Sequence, residues 1–118
     1  MTLEINRIHD NFCATGQMTL ESLAEAAELG FKTIFNYRPD GEGGAEQPTS
    51  AELKAKAEQL GLNYFHIPVF PGNLQPEQVQ EFIDLYAKAA KPALGFCRGG
   101  TRAAKVFELA NQQTGFKS

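Results

Sequence analysis

The chain has 118 residues, 42% hydrophobic and 21% charged, a length that builds one domain with a core needing no disulfide or structural metal. Eleven basic residues against fourteen acidic ones leave a net charge of −3, which excludes a broad nucleic-acid or acidic-membrane footprint, and no apolar run reaches the ~20 residues of a membrane span. Two cysteines, Cys13 and Cys97, make no disulfide framework, and residues 1–10 lack the basic and apolar regions of a signal peptide, so a reducing cytoplasm is the expected compartment.

In chain order, residues 3–8 (LEINRI) alternate apolar and polar and predict a half-buried strand, with a second short strand at Phe12–Thr15. Thr19 precedes Leu20, Leu23, Ala24, Ala27 and Leu29 at helical spacing, and Gly30 is the residue that stops the helix. Residues 31–36 (FKTIFN) are a β-rich run fit for a central strand, followed by a polar glycine- and proline-rich loop at 38–48. Thr49 and Glu52 form a capping box for a second helix with the stripe Leu53, Ala57 and Leu60, ended by Gly61. Residues 62–69 predict a third strand region, Pro71-Gly72-Asn73 a turn, and Pro76 the first turn of a helix carrying Val79, Phe82, Ile83 and Tyr86. Pro92 breaks that helix, residues 93–96 (ALGF) are a short buried strand, and Ala103, Val106, Phe107 and Ala110 mark a last helix. This rhythm predicts an α/β fold with a mostly parallel sheet and helices on both faces.

The chemistry sits in CRGGTR, residues 97–102, between a strand and a helix. Ligands of open α/β sheets bind at the carboxyl ends of strands. The N–H groups of such a loop converge on an anion, and the following helix adds its positive end. Gly99 and Gly100 are expected to take positive φ, and Arg102 to close the cradle with a forked contact to an oxyanion. Arg98 and Thr101 complete the loop. The same field favours thiolate at Cys97, so one segment supplies a nucleophile and an anion site.

With NFCATGQ near the start, FKTIFNYRPDGE, GLNYFHIPV and KPALGFCRGGTR, the chain resembles the phosphatase-like domain of β-lactamase-hydrolase-like proteins, bacterial relatives of dual-specificity phosphatases. The resemblance spans nearly all of residues 1–118, read as a single phosphatase-like domain. It implies a cysteine-phosphatase-like fold, with Cys97 as nucleophile and the loop through Arg102 as anion cradle. Four residues separate Cys97 from Arg102, one fewer than in the usual cysteine-phosphatase loop, and C-R-x-G-x-R resembles the rhodanese loop instead. Phe96 and Ala103 stand where the usual pattern has His and a hydroxyl residue, and VFPGNLQPE lacks the usual acid. Loss of that acid costs alkyl phosphate hydrolysis about 10²–10⁴-fold.

Arg38 is a candidate for the anion pocket and Asp40 for the proton donor, against a reading of Pro39-Asp40-Gly41 as turn chemistry. Glu42 and Glu46 read as solvated loop charges, His66 as a satisfied strand-end residue, and Cys13 as a buried thiol rather than a partner for oxidised Cys97. No metal-ligand spacing and no nucleotide fingerprint is present, so neither metal nor cofactor is expected. The expected substrate is a small anion: a persulfide, thiosulfate or a phosphate ester. Sulfur transfer through a Cys97 persulfide is the leading expectation. Phosphomonoester hydrolysis through a phosphocysteine and a non-catalytic anion-binding module are its alternatives.

Overall fold

A computed structural model describes residues 3–115; of the N-terminal stretch read for a signal, Met1 and Thr2 lie outside the described residues. The elements are β1 (Asn6–His9), β2 (Phe12–Thr15), α1 (Leu20–Glu28), β3 (Thr33–Asn36), α2 (Ser50–Gln59), β4 (Asn63–His66), α3 (Pro76–Lys88), β5 (Ala93–Phe96) and α4 (Thr101–Thr114), with a 3-10 turn at Gly44–Glu46. The five strands form one sheet in the order β1-β2-β5-β3-β4. β1 runs antiparallel to β2, while β2, β5, β3 and β4 are mutually parallel. Parallel neighbours require crossovers, and the helices supply them.

Strand alternation sorts the side chains into two cores. Phe35, Tyr37, Ala93 and Cys97 face one side, where they pack with Phe12, Phe82, Tyr86 and Phe107 of β2, α3 and α4. Ile34, Leu94 and Phe96 face the other, against Leu23 and Ala26 of α1 and Leu53 and Ala57 of α2. Phe12 stacks on Phe107 at 4.7 Å between ring centroids, and Phe35 meets Phe82 edge-on at 4.9 Å. Each such fully buried ring contributes ~1.5–3 kcal/mol. Gly95 makes room for the cluster: a Cβ there would lie 2.7 Å from Phe12 Cζ and 2.9 Å from Tyr37 Cε2.

The predicted elements are found, with shifts. Thr49 and Glu52 cap α2 reciprocally, and Gly30 takes the left-handed conformation beyond α1. β1 starts at Asn6 rather than Leu3. The α1 stripe is narrower than expected: Leu23 and Ala26 are buried, whereas Leu20 and Leu29 are 37% and 58% exposed. These two leucines sit at the first and the capping positions, where the chain leaves the sheet. β4 is shortened because Pro68 has no N–H to give. Ile67 and Val69 on either side still donate to Asn36 and Tyr37.

Candidate active site

β5 ends at Phe96, and the next residue, Cys97, is 1% exposed. The loop then turns tightly into α4. Gly100 takes φ +93°, and its N–H donates to Cys97 Sγ at 3.1 Å. Its carbonyl accepts from Ala104 N–H at 3.0 Å and opens the helix. The expectation that Gly99 shares the positive φ is not met; only Gly100 of the pair does. One left-handed residue is enough to reverse the chain here. The end of β2 buttresses the loop, with Gln17 N–H donating to the Arg98 carbonyl at 3.2 Å.

Arg102 is in the first turn of α4. Its Nη1 and Nη2 donate to Glu42 Oε1 and Oε2 at 2.8 and 2.7 Å, and Nη1 also donates to the Val69 carbonyl at 2.8 Å. Glu42 is gripped from its other side by Arg38 Nε at 2.7 Å. Arg38 in turn donates through Nη1 to Gln17 Oε1 at 2.9 Å. Glu42 is therefore no solvated loop charge, as the glycine-rich loop implies, but the centre of a charge network. Its carboxyl is held down at about 2, foremost by the Arg102 hydrogen bond and then by Arg38, against an opposing effect of burial. Arg102 is held above its ordinary range, chiefly by its hydrogen bonds to Glu42 and further by the Cys97 sulfur. The carboxylate thus sits between two guanidiniums.

Arg38, Glu42, Gly43, Pro71, Arg98 and Arg102 line one open cleft beside the loop. Arg98 also borders a second cleft across the loop, together with Thr15, Gly99, Gly100 and Thr101. The sequence-predicted residues Arg38, Arg98 and Arg102 are thereby brought together, while Cys97 lines neither cleft and lies buried at the base of the loop. Asp40 is turned elsewhere: its Oδ1 accepts Ser50 N–H at 2.8 Å at the start of α2, and it does not line the cleft. His66 ends β4 with its ring Nε2 hydrogen-bonded to the Arg38 carbonyl at 2.8 Å. Glu77 lies in the first turn of α3. Cys13 packs on the α1–α2 side of the sheet, opposite Cys97, and burial pushes its thiol up. Among the described residues no group of His, Cys, Asp or Glu is arranged to hold a metal ion. Glu42 and Gln17 are the site residues that sequence reasoning misses. Gln17 reaches Arg38 across 21 residues and Glu42 reaches Arg102 across 60, which no local spacing signals; only the Arg38–Glu42 pair, four residues apart, is local.

The chain matches the family model of the β-lactamase hydrolase-like protein, phosphatase-like domain, over residues 4–114. A β-lactamase hydrolase-like protein of Agrobacterium fabrum is 32% identical over 109 residues, which are 92% of this chain and 25% of that one. One from Xylella fastidiosa is 30% identical over 108 residues, again 92% and 25%. The chain thus spans about a quarter of the length of these curated relatives. Among solved structures, a candidate phosphatase from Neisseria meningitidis superposes with a TM-score of 0.83 at 32% identity, covering 96% of this chain and 80% of that one. A Shewanella putrefaciens protein superposes at 0.79 with 20% identity, covering 94% and 72%, and shares the fold. A five-stranded, mostly parallel sheet with a cysteine loop at the end of its central strand is thus the cysteine-phosphatase-like fold, and the chain belongs to the phosphatase-like domain family of β-lactamase hydrolase-like proteins.

Proposed function

We propose that the protein is a cysteine-nucleophile enzyme of this phosphatase-like family, and that its Cys97 accepts sulfane sulfur from a small anionic donor. The observation that carries the reading is the state of the cleft's carboxylate. Glu42 is the carboxylate lining the cleft among the described residues, and two guanidiniums keep it ionised down to a pH of about 2. It has no proton to give an alkoxide at neutral pH. Asp40 is occupied at α2.

Sulfur transfer needs no such proton. The Cys97 thiolate attacks the outer sulfur of thiosulfate, a new S–S bond forms, the donor's S–S bond breaks, and sulfite leaves with the electron pair. A thiolate acceptor then attacks the same sulfur and releases Cys97 as thiolate. In this reading Arg102 holds the sulfonate oxygens, Arg98 and Arg38 add positive charge at the rim, and the loop N–H groups from Gly99, Gly100 and Thr101 stabilise the charged persulfide. The second reading is hydrolysis of a phosphate ester through a phosphocysteine. The family and the forked Arg102 favour it, and the absent proton donor confines it to phenol-like leaving groups.

The test is the intact mass of the reduced protein after incubation with thiosulfate, with Cys97→Ser beside it. Gain of one sulfur atom on the native chain alone, removed by cyanide, is the expected result. No adduct together with Cys97-dependent turnover of p-nitrophenyl phosphate establishes the hydrolase instead. If neither result is obtained, the site is reduced to an anion-binding module.

A further inference from the structure

We infer that Glu42 is a resident competitor for the anion seat, so that the cleft admits ligands presenting two adjacent oxygens and turns away single-atom anions. The inference rests on the reading of Cys97 and Arg102 as a group-transfer site and names what that site selects. The two parallel N–H groups of Arg102 are the feature an oxyanion substrate needs, and both are taken by Glu42 at 2.7–2.8 Å. A carboxylate is itself a forked two-oxygen anion, the geometry of a sulfonate or phosphoryl edge. A ligand that offers one atom can replace one of these bonds but not the pair.

The exchange is local. Gln47 fastens the backbone of the Glu42 loop, accepting Gly43 N–H at 2.7 Å and donating to the Pro39 carbonyl at 2.9 Å. Asp40 ties its first half to α2. Only the Glu42 side chain has to turn, by staggered rotations that leave the loop in place. It does not become an isolated charge when it lets go, because Oε2 already bonds Arg38 Nε. Arg102 keeps its bond to the Val69 carbonyl throughout and so stays aimed at the cleft. A strut that merely aims Arg102 predicts the opposite response to removal of the charge, which makes the two roles separable.

The experiment measures inorganic phosphate binding to the full chain by calorimetry, for the native protein, Glu42→Gln and Glu42→Ala, with Glu46→Gln as a control for net charge. Glu46 lies in the same loop, in the 3-10 turn, and is exposed. Thermal melting confirms that each variant is folded. Phosphate is expected to bind roughly tenfold tighter to both Glu42 variants and within about twofold of native to Glu46→Gln. Chloride, titrated against phosphate, is expected to compete measurably better in the Glu42 variants than in the native chain. Unchanged or weaker phosphate binding in both Glu42 variants overturns the inference and makes Glu42 a strut, and an equal gain in Glu46→Gln overturns it in favour of bulk charge. Labelling of Cys97 with iodoacetate is read separately. Tighter phosphate with an unreactive cysteine leaves the competitor role standing and removes the proposed chemistry.

Discussion

The two glycines of the cysteine loop should respond in opposite ways to the same substitution. Gly100 has φ +93°, where a Cβ costs ~1–2 kcal/mol. An alanine Cβ would also lie 3.3 Å from the Thr15 carbonyl oxygen and 3.4 Å from its carbon, backbone atoms of β2 that cannot swing aside. Crowding of this kind adds ~1 kcal/mol, for a total of about 2–3 kcal/mol. Unfolding entropy of ~2.1 cal/mol/K per residue gives this chain ~0.25 kcal/mol/K, so Gly100→Ala should lower Tm by about 8–12 °C. The strain is relieved by moving the residue away from β2, which takes its N–H off Cys97 Sγ, now 3.1 Å away. A hydrogen bond to a charged group is worth ~1.5–3 kcal/mol, so labelling of Cys97 by iodoacetamide at neutral pH should slow about 10- to 100-fold. At Gly99 a Cβ meets nothing within 4 Å and φ lies outside the left-handed range, so Gly99→Ala should stay within ~0.5 kcal/mol of the native chain. Urea unfolding and timed labelling read both variants. Equal losses, or a Gly100→Ala protein as stable and as reactive as the native one, would falsify this account of the loop.

Three further outcomes are expected. Asp40→Ala should lose about 0.5–1.5 kcal/mol in urea unfolding, because Ser50 N–H loses its acceptor at the start of α2; a tenfold drop in turnover at unchanged stability would instead restore Asp40 as proton donor. Tyr37 is fully buried and its hydroxyl has no hydrogen-bond partner among the described residues, so Tyr37→Phe should leave stability unchanged or raise it by up to ~1 kcal/mol, and a loss larger than that would reveal a partner. The Glu42 carboxyl titrates at about 2 in the fold against 4.5 ordinarily, so its ion pairs stabilise the protein above pH ~5 and that contribution fades as pH falls toward 2. With the side chain 18% exposed, solvent screening reduces the full linkage to about 1–2 kcal/mol, and the urea midpoint of Glu42→Gln should fall less steeply between pH 5 and 2.5 than that of the native chain; parallel acid limbs would rule this out.

What could be read in advance was what neighbours in the chain decide. β2 and β5 have the bounds their apolar runs predict. The four apolar residues of the last helix are all buried, and the Thr49–Glu52 box is formed. The placement of Cys97 and Arg102 at the two ends of one loop was legible because a single strand–loop–helix segment sets it. Glu42 was not, since its partner Arg102 lies 60 residues away and a glutamate among glycines reads as solvated. Nor does the sequence say which of the two adjacent glycines turns left-handed, as only Gly100 does. Leu20 and Leu29 fit the helical period of α1 but not its burial, because a nine-residue helix presents only its middle to the sheet.

The length of the loop bears on the chemistry more than the absent acid alone. With four residues between Cys97 and Arg102, α4 begins at Thr101, and the arginine is already a helix residue. A loop shorter by one residue offers one fewer N–H than the usual cysteine-phosphatase ring. A phosphoryl group passes to sulfur with charge spread over three equatorial oxygens, each calling for donors. A persulfide carries its charge on one terminal sulfur, which a smaller ring can surround. The oxygens of a thiosulfate donor lie on the other side of the bond being broken. In the proposed reading Arg102, which lines the cleft with Arg38 and Arg98, holds them. For the proposed sulfur transfer, the missing acid and the shortened ring therefore favour one division of labour, in which the loop holds the transferred sulfur and Arg102 holds the group it leaves.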